Sequence, residues 1–118
     1  SNVIHMGDRF FNGGFPFVDM ANGGTVQGYL NNLEKALSWI GDDTAVVPGH
    51  GPLGTKQDLL DFYNVVKDTS TTIRVMKSQQ MSKEEIVAEG LDAQYESWGQ
   101  GFINEQRWIE TVFDSYPR

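Results

Sequence analysis

The sequence predicts an α/β fold, with a small, mainly parallel or mixed sheet, helices on one face of it and a helical C-terminal tail. Residues 3–6 and 44–47 are short apolar runs with the composition of buried strands. Residues 25–40 between them have helical periodicity, which predicts a right-handed crossover joining two parallel strands. Helical patterns fill most of the chain from residue 55 to residue 116.

The length of 118 residues predicts a single domain, with a strand–helix–strand core over residues 1–54 and a helical part over residues 55–118. A net charge of −7 argues against binding to nucleic acid or to anionic membranes, because both need clustered Lys and Arg. The absence of cysteine excludes disulfides and thiolate metal sites. Neither a membrane span nor a signal peptide is recognisable, so the compartment is undetermined and cytoplasmic by default.

Both predicted strands end in residues that can bind a metal ion. The first ends at Gly7-Asp8, and the second stops at Pro48 before a tight turn that contains His50. Adjacent strands lie about 4.8 Å apart, so we expect Asp8 and His50 to meet at one edge of the sheet. His5 lies three residues before Asp8 on the same strand and is expected to point to the opposite face, which argues against it as a third ligand.

The first helix is predicted to begin at the N-cap Thr25 and to run to about residue 40. Residues 17–20 before it fit a very short strand. A second helix opens with a Thr55–Asp58 capping box and runs to about residue 80, with a polar stretch at 68–72 where it is expected to bend. The helical positions expected in the core are Val26, Leu30, Leu33, Leu37, Ile40, Leu59, Phe62, Tyr63, Val66, Ile73 and Met76.

The last part of the chain contains two further helix starts. Ser82 begins an S-x-x-E capping box for a short helix that stops at Gly90. Residues 91–101 read as irregular, with Tyr95 and Trp98 packed against the core. Asn104 is then expected to cap a final helix, which places Trp108, Ile109, Val112, Phe113 and Tyr116 on one face.

A strand ending in GD, an amphipathic helix and a strand ending in PGHG together resemble the C-terminal half of the metallo-β-lactamase-fold hydrolases. The FNGGFPFVD segment at residues 11–19 strengthens the resemblance. It implies half of an αββα sandwich, in which Asp8 matches an aspartate that bridges two metal ions and His50 matches a ligand of the second. The family's His-x-His-x-Asp-His signature is missing, because His5 and His50 are the only histidines.

Within this resemblance, residues 10–16 either line the edge of an active-site groove or form a hydrophobic loop packed on the sheet. The truncation implies a domain that is not a competent hydrolase by itself, with no catalytic residue assigned. We expect a binding or assembly module with a vestigial zinc site at Asp8 and His50. The alternative is half of a metal-dependent hydrolase, completed by a second copy or by a separate N-terminal half. No substrate is indicated.

A homodimer is the expected assembly. The predicted strands are apolar on both faces, whereas the predicted helices can cover only one face of the sheet. The open face would be a larger apolar patch than monomers usually expose, and a second copy could cover it through a twofold contact.

Overall fold

A computed structural model describes the backbone of residues 3–11, 13–41, 45–50, 54–101 and 103–116, and the side chains of residues 13–21, 23–41, 54–101 and 103–116. Most of the residues with described side chains are helical. The longer elements are β1 (Val3–Phe11), α1 (Val26–Trp39), β2 (Ala45–His50), α2 (Lys56–Ser78), α3 (Lys83–Glu89) and α4 (Glu105–Ser115). Two 3₁₀ helices, Met20–Asn22 and Ala93–Gln100, complete them.

The backbones of β1 and β2 pair in parallel, and they are the only sheet in the described ranges. Both strands are longer than predicted. Gly7 and Pro48, which were expected to end the strands, pair with each other inside the sheet, with register shifts on either side. The predicted end of β2 at Pro48 was wrong because every strand of a two-stranded sheet has an outer edge, where a proline without an N–H group is tolerated. The irregular pairing around Gly7 likewise lets β1 continue past this residue.

The predicted half-sandwich fold is wrong. In such a fold, one face of a sheet forms the core, but the described core here lies between helices. Helix α4 packs on α1, α2 and α3, so the predicted C-terminal tail is in fact central. The fully buried large side chains with described positions are Trp108, Phe15, Phe62, Leu33, Leu59, Ile73, Ile86, Ile109, Val26 and Val66.

Trp108 is the largest of these side chains. Its indole N–H donates a hydrogen bond to Thr69 Oγ1 on α2 at 2.8 Å, in a buried environment. The ring of Phe15 stacks on it with the centroids 5.8 Å apart. Within the aromatic segment of residues 10–16, Phe15 therefore packs on α4. The main-chain N–H of Phe15 also donates to the carbonyl of Trp98 at 2.9 Å.

The helix starts confirm the capping predictions. Thr25 Oγ1 accepts from the N–H of Gly28, and Asn104 accepts from the N–H of Arg107. The boxes opened by Thr55 and Ser82 are both complete. These caps form as predicted because each one satisfies exposed N–H groups within its own first turn and needs no distant partner.

Residues 68–72 lie within α2 without a break, and hydroxyl groups there hydrogen-bond carbonyls one turn earlier, as Thr71 does to Lys67. The bend expected there stays a prediction. Two other local predictions are wrong. Residues 93–100 form a 3₁₀ helix capped by Asp92 and are not irregular. Residues 20–22 are also a 3₁₀ helix, where the end of a short strand was expected. Tyr95 and Trp98 do pack against the core as predicted, and Trp98 stacks on Phe62.

The C-terminal end of α4 is held by α2. The ammonium group of Lys77 donates to the carbonyls of Phe113 and Tyr116, at 2.5 and 2.6 Å, and lies 4.1 Å from the ring centroid of Phe113. A cation there satisfies carbonyls left free at the helix end and is favoured by the helix dipole. The guanidinium of Arg74 covers the ring of Tyr116 at 4.1 Å. These contacts fix the orientation of α4.

Candidate functional site

The predicted metal ligands lie on the paired strands. Asp8 is in β1, next to Gly7, which pairs with Pro48. His50 ends β2 and pairs with Phe11, three residues beyond Asp8. The register shifts between Gly7 and Phe11, where four residues of β1 span two of β2, so His50 does not pair with Asp8. The side chains of both residues lie outside the described part, so zinc binding by them stays a prediction.

Elsewhere, the described side chains do not bring together three His, Cys, Asp or Glu residues that could hold a metal ion. A shallow, open depression lies on the second 3₁₀ helix. It is lined by Ala93, Gln94, Glu96, Ser97 and Gln100. A single exposed carboxylate among amides and a hydroxyl offers no pair of groups for acid–base catalysis.

The resolved pKa shifts also favour structural roles. Burial raises the pKa of Tyr63 to about 12, assisted by its 2.6 Å hydrogen bond to the Glu34 carboxylate on α1. Burial raises the pKa of Tyr95, and a hydrogen bond to Asp114 raises that of Lys83. Each shift holds its group more firmly in the form it already has at neutral pH, whereas a general acid or base needs a pKa near neutrality.

The most exposed large apolar side chain in the described part is Trp39, at 73%. It ends α1, shortly before β2 begins. Its neighbours Ala36 and Ile40 are buried, whereas Trp39 lies about 110° around the helix from the centre of the buried stripe, at about 100° per residue. Sequence reasoning overlooked Trp39, although a tryptophan outside the apolar stripe of an amphipathic helix is a readable signal.

The sequence around Trp39 is mildly acidic. Asp8 and Arg9 balance each other within β1, and Glu34 and Lys35 do so within α1, but Asp42 and Asp43 follow Trp39 in the chain. We refer to the exposed indole of Trp39 at the end of α1 as the Trp39 surface. No described helix is long and apolar enough to cross a membrane.

Comparison with known proteins supplies no family: no protein-family model matches the chain, and no curated protein matches it significantly. Together with the helical core, this overturns the resemblance to the metallo-β-lactamase fold. The short GD and PGHG motifs suggested it because they are local and compatible with many folds, whereas a sandwich is defined by long-range pairing of strands. The separate N-terminal half and the hydrolase alternative depended on that resemblance.

Proposed function

We propose that this chain is a non-catalytic binding or assembly module, which engages a protein partner through the Trp39 surface. The observation that carries the proposal is the 73% exposure of Trp39, the highest among the large apolar side chains that the structure describes. Tryptophan is among the residues most enriched at the energetic centres of protein interfaces, because its large ring combines apolar area with a hydrogen-bond donor.

The size of the exposed ring sets the expected contribution. A tryptophan side chain buries on the order of 200 Å² in an interface. With 73% of the residue exposed, roughly 150 Å² is available to a partner, worth about 4 kcal/mol at about 25 cal/mol per Å² before the cost of association. Removing the ring is therefore expected to weaken binding by at least about tenfold, which corresponds to about 1.4 kcal/mol.

Site-specific photo-crosslinking tests the proposal. A photoreactive phenylalanine analogue placed at position 35, one helical turn before Trp39 and also exposed, should give one discrete crosslinked protein in cell extract, identified by mass spectrometry. The matched control is position 75, where Val75 is an exposed apolar residue, at 49%, but lies on α2. Adding Trp39→Ala should then reduce recovery of the same protein at least about tenfold without altering the thermal stability of the chain. Equal, diffuse labelling from positions 35 and 75 would refute the proposal.

A further inference from the structure

The middle of α2 is poorly suited to a helix. Residues 68–72 have the sequence DTSTT, in which every residue type has a lower helix propensity than alanine. The four hydroxyl groups all donate hydrogen bonds to main-chain carbonyls of the preceding turn, which belong to Val65, Lys67 and Asp68. Bonds of this kind slightly destabilise a helix and often bend it. We call residues 68–72 the polar segment of α2.

The two halves of α2 on either side of the polar segment make different contacts. In the first half, the hydroxyl of Tyr63 donates to the Glu34 carboxylate on α1 at 2.6 Å. In the second half, Arg74 covers an aromatic ring at the C-terminal end of α4, and Lys77 donates to two carbonyls there. The polar segment therefore separates a part of α2 that is attached to α1 from a part that is attached to the end of α4.

Helix α4 bridges the polar segment. The indole N–H of Trp108 donates to Thr69 Oγ1 within the segment, and the hydroxyl of Ser115 accepts from the N–H of Val26 at the start of α1, at 2.8 Å in both cases. Among the described side chains, the buried polar ones are those of Thr69 and Ser70. The contacts with α4 therefore keep helical a segment that its own sequence disfavours.

From these contacts we infer that the polar segment is a hinge in α2 and that α4 keeps this hinge closed. When α4 detaches, the helical hydrogen bonds of the polar segment break, while the first half of α2 stays helical on α1. Proteins open in such cooperative units at free energies below that of global unfolding. The inference is independent of the proposed function, because none of these contacts involves Trp39.

Hydrogen–deuterium exchange of the full chain, resolved by NMR, tests the hinge. Its readout is the protection factor, which is the exchange rate of an unfolded amide divided by the observed rate. The amides of residues 69–73 should be at least about tenfold less protected than those of residues 60–66, although Thr69 and Ser70 are buried. The amides of residues 109–112 in α4 should share the lower protection, because a single opening exposes both segments.

Two variants identify the contacts that break in the opening. Trp108→Phe keeps an aromatic ring and removes the N–H donor, so the protection of residues 69–73 should fall by about tenfold. The matched control is Tyr63→Phe, which also removes a hydrogen-bond donor, but from the half of α2 that stays closed. It should leave the protection of residues 69–73 unchanged within about twofold.

Three results would overturn the inference. Equal protection of residues 60–66 and 69–73 would mean that α2 opens only when the whole chain unfolds. Protection of residues 109–112 as high as that of residues 60–66 would mean that α4 does not detach. The third result is an equal loss of protection at residues 69–73 in Tyr63→Phe and Trp108→Phe. If Trp108→Phe does not fold, the protection factors of the unmodified chain still decide.

Discussion

Thr69→Val tests whether the buried hydrogen bond between α2 and α4 maintains the helical core. The substitution keeps the shape of the side chain and removes the oxygen that accepts from the indole N–H of Trp108 at 2.8 Å. Both residues are completely buried, so water cannot replace the lost acceptor. A buried donor left without a partner costs about 1–3 kcal/mol, and we expect a loss of about 2 kcal/mol in the free energy of unfolding.

The matched control is Thr71→Val on the same helix. Its hydroxyl makes the same kind of bond, to the carbonyl of Lys67 at 2.8 Å, but the side chain is exposed. We expect a change within about 0.5 kcal/mol. Urea unfolding followed by far-ultraviolet circular dichroism measures both variants, and melting temperatures should separate by several degrees, at about 4 °C per kcal/mol. Equal stability of the two variants would refute the buried hydrogen bond, and Thr69→Ser should recover part of the loss.

The other expected outcomes concern α4, a tyrosine and the predicted zinc ligands. Lys77→Met should destabilise the chain by about 1–3 kcal/mol in urea unfolding, because two carbonyls at the end of α4 lose their donor. The control is Lys67→Met, which should cost under about 0.5 kcal/mol because the ammonium of Lys67 only lies near the Tyr63 ring, 5.9 Å from its centroid. Folding raises the pKa of Tyr63 from 10.0 to about 12, so its contribution to stability is complete below pH 10 and is lost as the pH rises toward 12. The melting-temperature difference between the unmodified chain and Tyr63→Phe should therefore shrink over that range, and a constant difference would contradict the shift. Zinc should bind the full chain weakly in calorimetry through Asp8 and His50, and unchanged binding by His50→Ala would exclude this site.

The sequence was a reliable guide wherever a structure is stabilised by its near neighbours. The caps at Thr25, Thr55, Ser82 and Asn104 were predicted correctly, because the hydroxyl or amide of each bonds an N–H three residues later. Helical periodicity also identified Leu59, Phe62 and other core positions. Phe15 was not assigned a partner, since a Gly-rich loop has no periodicity from which its packing could be read.

The sequence by itself determined where the helices begin, which of their faces are apolar, and that the chain is acidic. Only the tertiary structure decided that α4 lies at the centre and that Phe15 stacks on Trp108. These features depend on contacts between residues far apart in the chain, such as Trp108 with Thr69. A periodic apolar pattern identifies the face of a helix that must be buried. It does not identify the helix that covers this face, because that depends on how all the helices pack together.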